Sequence, residues 1–186
     1  MPKSIIVSGP PAIGKTTVSR GLAKQFGMQN LSGGDVLKEI AKDQGFDTDG
    51  ADWWDTPDGM KFLNQRKNNY EFDHKVDENL KEIFQKGNVV ITSYTLPWLV
   101  NDGIKIWLDG SRENSAKRMQ TRDNMSHSDA LEIVDKRYNE NKILYKQLYG
   151  FDFGKDMSVF DIIINTDSLD ADGVLKLAIQ KVSDLL

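Results

Sequence analysis

The chain has 186 residues, 39% of them hydrophobic and 28% charged, which suits one soluble α/β domain with a core of ordinary size. A formal net charge of −4 argues against broad nucleic-acid binding through phosphate neutralisation, and the lack of cysteine excludes disulfides, thiol nucleophiles and thiolate metal sites. No charged-then-apolar leader opens the sequence and no apolar run reaches the roughly 18 residues of a membrane span, so the expectation is a cytoplasmic protein with no membrane partner, monomeric or homodimeric.

Ile5-Ile6-Val7 is a short apolar run ending in Ser8-Gly9, as in a buried parallel strand. Thr16 to Phe26 has helical spacing, with Val18, Leu22, Ala23 and Phe26 on one face and Gly27 as its stop. A second helix is predicted from Asp35 to Lys42 through Val36, Leu37, Ile40 and Ala41. Gly45 to Pro57 reads as a loop. Lys61 to Lys86 is mostly helical, with Leu63, Tyr70, Val76, Leu80, Ile83 and Phe84 inward. Asn88–Thr92 and Ile104–Leu108 are further strands. Ser111 to Tyr149 is charged and helical with an interruption near Met125-Ser126. Phe160–Asn165 is the last strand, and Asp170–Leu186 closes as an amphipathic helix. Strands alternating with helices predict a parallel sheet with right-handed crossovers.

Gly9-Pro10-Pro11-Ala12-Ile13-Gly14-Lys15-Thr16 matches the phosphate-loop pattern G-x-x-x-x-G-K-[ST] at every defined position. Its glycines let backbone N–H groups turn toward phosphate oxygens, and the next helix offers its positive end, with Thr17 in the first turn. Lys15 is expected on the β- and γ-phosphates of ATP and the Thr16 hydroxyl on Mg²⁺. Arg118 and Arg122 are four apart and share a helix face. Transfer of a phosphoryl group calls for such cations on the group whose charge is spreading.

Further motifs resemble a known family. Leu31-Ser-Gly-Gly-Asp-Val-Leu-Lys38 resembles the acceptor-side start of nucleoside monophosphate kinases. Asn88-Val-Val-Ile, Leu148-Tyr-Gly-Phe-Asp152 and Asp161-Ile-Ile-Ile-Asn-Thr166 resemble the archaeal cytidylate kinases. The resemblance implies a P-loop NTPase three-layer sandwich: a five-stranded parallel sheet with helices on both faces, a helical acceptor-binding insertion and a short lid. It divides one domain into a core (1–34, 87–117, 158–186), an acceptor-binding region (35–86) and a lid (118–157). It places Arg118 on the nucleotide, with Arg122 and Arg137 as catalytic cations near the triphosphate.

The sequence departs from that family on the acceptor side. Where those kinases carry Glu-Gly-Arg after the third strand, this chain has Thr92-Ser93-Tyr94. An acid near Mg²⁺ and an arginine on the acceptor's phosphate are both replaced, and Arg is hard to replace at such a site. Trp53-Trp54-Asp55 lies in a stretch that looks longer than its family equivalent. Small-alcohol P-loop kinases such as shikimate kinase use a carboxylate near the position of Asp35 to bind a hydroxyl and accept its proton. Asp35 is therefore read as both catalytic and substrate-binding, with a helix cap as its alternative role. Lys38, Arg66 and Lys67 are candidates for an acceptor's negative groups. The expected function is ATP-dependent phosphorylation of a small phosphorylated metabolite, with the mevalonate 3-phosphate 5-kinase type of Thermoplasma-like archaea ranked first. Cytidylate (CMP/dCMP) kinase is the alternative, and a nucleotide-dependent binding switch without turnover the third reading.

Overall fold

The computed structural model describes residues 3–48, 61 and 70–186. Leu63, Trp53, Trp54, Arg66 and Lys67 lie outside the described residues. β1 (Ile5–Ser8), α1 (Lys15–Phe26), β2 (Gln29–Ser32) and α2 (Gly33–Asp43) come first. They are followed by α3 (Glu71–Lys86), β3 (Val89–Thr92), the one-turn α4 (Leu96–Leu99) and β4 (Ile104–Asp109). α5 (Arg112–Asp123), α6 (His127–Tyr149), β5 (Ile162–Asn165) and α7 (Ala171–Ser183) complete the order.

The five strands form one sheet in the order β2-β3-β1-β4-β5, and every pairing is parallel. β1 is buried along its whole length because both faces are covered, which is why it reads as an unbroken apolar run. On one face, Val18, Leu22 and Ala23 of α1 and Val174, Ala178 and Val182 of α7 pack over Ile5, Val7, Ile106 and Ile164. On the other face, Val36, Leu37 and Ala41 of α2 and Val76, Leu80 and Phe84 of α3 cover Ile6, Val89 and Ile91. The three-layer α/β sandwich expected from the sequence is therefore the fold found.

One local expectation is corrected. Tyr70 does not point inward: it sits at the start of α3, 41% exposed, and its hydroxyl donates to Gln147 Oε1 at 2.8 Å. The run Ile162-Ile163-Ile164 is buried, exposed, buried, because one face of β5 is covered and the other is open. The break near Met125-Ser126 is where the sequence put it. Asn124 (φ 51°) ends α5 in the left-handed region, and the Ser126 side chain caps α6 by accepting from Asp129 N.

Candidate active site

The phosphate loop leaves the carboxyl end of β1 between β3 and β4, at the point where the strand order switches direction. Gly9 has φ 147°, and a Cβ there would meet the Leu108 carbonyl oxygen at 2.4 Å, so the loop passes β4 at a distance only glycine allows. Gly14 (φ 102°) turns the chain into α1. Ile13 is buried under the loop and anchors it. The first turn of α1 holds Lys15, Thr16 and Thr17 and no acid, so its positive end is not neutralised locally.

Lys15 is half-buried and lies back across its own loop. Its Nζ donates to Gly9 O at 2.9 Å and Pro10 O at 2.6 Å. It also sits 4.6 Å from the centroid of the Tyr94 ring. Burial pushes the ammonium below the usual lysine range; Tyr94 partly opposes that shift, and nearby Arg137 adds to it. Burial pushes the Tyr94 phenol up, but the Lys15 and Arg137 charges outweigh that and hold it below the ordinary tyrosine value. Lys15, Tyr94 and Arg137 thus come together from the phosphate loop, the β3–α4 corner and α6.

The three arginines expected near the nucleotide are placed differently. Arg118 is half-buried, donating to Thr166 Oγ1 and Thr166 O at 3.1 Å each and to Ile13 O at 3.4 Å. It ties the phosphate loop to the turn after β5, where Asp167 accepts from Ser111 N at 2.9 Å and Asn114 Nδ2 at 2.7 Å. Arg122 lies in an open groove with Lys117, Arg118 and Thr121. Its guanidinium is fork-bonded to Asp123, at 2.5 and 2.6 Å, and its side chain is 62% exposed. Binding a phosphate would mean leaving Asp123. α5 and α6 are joined by Arg112, whose Nη1 donates to both carboxylate oxygens of Asp135 at 2.7 and 2.8 Å. They meet through Ala116, Met119, Ala130 and Val134, with Ala12 of the loop packed against them.

On the acceptor side, Asp35 is a helix cap in this arrangement. Its Oδ2 accepts from Ser32 N at 3.1 Å and Ser32 Oγ at 2.7 Å, while Ser32 Oγ accepts from Asp35 N, closing a capping box. The carboxylate is exposed at the carboxyl end of β2, so capping does not remove it from the crevice. Lys38 follows one turn along α2, half-buried.

The sequence reading missed a buried cluster. Asp73 and Asp77 of α3 are 5% and 6% exposed. Asp77 Oδ1 accepts from Thr95 Oγ1 at 2.5 Å and Oδ2 from the Tyr149 hydroxyl at 2.6 Å. His74 Nδ1 lies 3.3 Å from the same hydroxyl. Ser93 Oγ accepts from Thr95 N at 3.2 Å and Leu96 N at 3.1 Å. The available signal was two acids four residues apart beside the apolar Phe72, Val76 and Leu80, an odd pattern for an inward face.

Mg²⁺ demands few protein ligands when phosphates and water supply the rest. The described residues fit that mode: Thr16 is exposed at the loop, and no group of three or more His, Cys, Asp or Glu forms a cage of its own.

Comparison with known proteins agrees with this geometry. The profile of the cytidylate kinase-like family matches residues 4–168. The cytidylate kinase of Sulfurisphaera tokodaii is 31% identical over 93% of this chain and 91% of its own length. That of Pyrococcus horikoshii is 32% identical over 94% and 86%. Among solved structures, a shikimate kinase from Acinetobacter baumannii in complex with shikimate superposes with TM-score 0.58 at 18% identity, covering 100% of this chain and 93% of that one. A gluconokinase from Sinorhizobium meliloti gives 0.59 at 16%, covering 99% and 93%. At those identities the structural matches speak to fold.

Proposed function

The chain belongs to the cytidylate kinase-like family and is an ATP-dependent kinase, and on that premise we propose that it transfers the γ-phosphoryl group of ATP to a cytidine monophosphate. The observation that carries this reading is a complete phosphate loop in a chain 31% and 32% identical to two named cytidylate kinases over 93% and 94% of its length. The ranking expected from the sequence is thereby reversed: family and relatives favour the CMP/dCMP acceptor over mevalonate 3-phosphate.

ATP enters with its phosphates over Gly9–Thr17, against loop N–H groups and the positive end of α1. Lys15 leaves the Gly9 and Pro10 carbonyls for the β- and γ-oxygens, exchanging neutral acceptors for charged ones. Arg137, close enough to depress Lys15, brings a second positive charge to the transferring group. The Thr16 hydroxyl would hold Mg²⁺, which would supply further neutralisation of the phosphates. The acceptor lies toward α2, α3 and the β3–α4 corner.

A second reading keeps the kinase and changes the acceptor to a phosphorylated alcohol. It is favoured by Tyr94, an uncharged side chain packed against Lys15 where the resembled kinases carry a phosphate-clamping arginine. There Asp35 binds and deprotonates the hydroxyl, and Lys38, Arg66 and Lys67 hold the negative groups. A coupled ADP-release screen over CMP, dCMP, UMP, AMP, mevalonate, its 3- and 5-phosphates, and shikimate separates the two. Turnover on CMP or dCMP above all others supports the first reading; turnover led by mevalonate 3-phosphate replaces it with the second.

A further inference from the structure

We infer that Tyr94 contacts the phosphoryl group in flight: its hydroxyl donates a hydrogen bond to a γ-phosphoryl oxygen alongside Lys15 and Arg137, as a neutral third donor. The inference rests on the kinase reading and holds for either acceptor.

Position is the first argument. Tyr94 follows β3, whose register beside β1 brings Thr92 level with Val7, two residues before the phosphate loop opens. Ser93 N donates to Val7 O at 3.3 Å, so the corner carrying Tyr94 is bonded to the strand that feeds the loop. The carboxyl edge between these strands is where an open α/β sheet receives its ligand.

Rigidity is the second. The ring packs edge-on against Phe153, centroids 5.7 Å apart, and tilted against Tyr145 at 6.2 Å. The backbone on its two sides is held as well. Ser93 Oγ accepts from Thr95 N and Leu96 N, and Thr95 Oγ1 donates to the buried Asp77. A group fixed this way costs little reorganisation when charge develops in front of it.

Direction is the third. Lys15 Nζ of the phosphate loop lies 4.6 Å from the ring centroid, while the ring's other neighbours, Tyr145 and Phe153, belong to the aromatic cluster. Lys15 is the group that phosphates draw away. An oxygen that takes Lys15 off Gly9 O and Pro10 O arrives beside the same phenol. Two adjacent positive charges make that O–H a stronger donor than an ordinary phenol.

The test is Tyr94→Phe, which keeps the ring and its packing and removes the hydroxyl. Turnover is measured against ATP with the best acceptor from the screen. The expected result is a kcat lowered at least about tenfold with KM for ATP changed less than about twofold, the signature of a contact made in the transition state. In parallel, the five tyrosines are replaced by 3-fluorotyrosine and the Tyr94 ¹⁹F resonance is assigned by its loss in the variant. The magnesium complex of β,γ-imido-ATP should shift that resonance without any acceptor present. A kcat within about twofold of wild type, or a Tyr94 resonance indifferent to the analogue, overturns the inference. A wild-type enzyme that binds the analogue but turns over no acceptor overturns the kinase reading instead, and the resonance still decides the role of Tyr94.

Discussion

The Tyr149 hydroxyl donates to Asp77 Oδ2 at 2.6 Å, tying the last turn of α6 to the middle of α3. The other oxygen of the same carboxylate holds Thr95, so one buried acid joins α6, α3 and the corner that carries Tyr94. Burial, and then the bond to Asp77, push the Tyr149 phenol well above its ordinary value. Tyr149→Phe should lower unfolding free energy by about 1–3 kcal/mol, because Asp77 loses a donor while remaining buried. The sign of the pH dependence follows from the raised pKa. The stabilisation is complete below the unfolded value of 10.0 and fades above it, as the unfolded chain ionises first. Denaturant titrations at neutral and strongly alkaline pH should show the wild-type advantage shrinking in the second.

Lys15→Ala should reduce turnover by at least about a hundredfold, as expected for losing a positive charge on the transferring group. Near wild-type ATP turnover in a pure preparation contradicts the kinase assignment. Lys15 serves as a cation, and burial depresses it below the ordinary lysine value of 10.5. The free enzyme's kcat/KM should therefore fall with rising pH earlier than an unperturbed lysine would dictate, measured across the alkaline limb.

Arg137 and Arg122 should separate. Arg137 sits where its charge bears on both Lys15 and Tyr94, whereas Arg122 is engaged by Asp123. Arg137→Ala is expected to lower kcat more than Arg122→Ala does, and to leave KM for ATP nearly unchanged. Equal losses in steady-state kinetics would mean that Arg122 exchanges Asp123 for phosphate once ATP is bound.

Much of this was legible in the sequence. The phosphate loop is an eight-residue pattern whose chemistry is local, and Gly27, Ser126 and the apolar stripes fixed element ends for similarly local reasons. The capping role of Asp35 was also readable, since Ser32 stands three residues before it. What escaped depended on distant partners. Asp77, Thr95 and Tyr149 are far apart in the chain, and no spacing rule connects them. Tyr94 read as the loss of an arginine, but its packing against Lys15 shows that another group occupies the place.

Asp35→Asn tests the acceptor from the protein's side. The asparagine keeps an oxygen for capping, so the variant should lose no more than about 1 kcal/mol of stability. Under the cytidine monophosphate reading its kcat/KM on CMP should fall less than about tenfold, since Asp35 then accepts no proton. A loss of several orders of magnitude with ATP binding intact would mark Asp35 as the base for an alcohol.

The most direct measurement compares acceptors in the wild-type enzyme. With saturating ATP and Mg²⁺, kcat/KM is determined by coupled ADP release for CMP, dCMP and mevalonate 3-phosphate. The account predicts that CMP or dCMP exceeds mevalonate 3-phosphate by at least about tenfold, a gap of about 1.4 kcal/mol in transition-state binding. A higher value for mevalonate 3-phosphate contradicts it and assigns the active site to a phosphorylated alcohol.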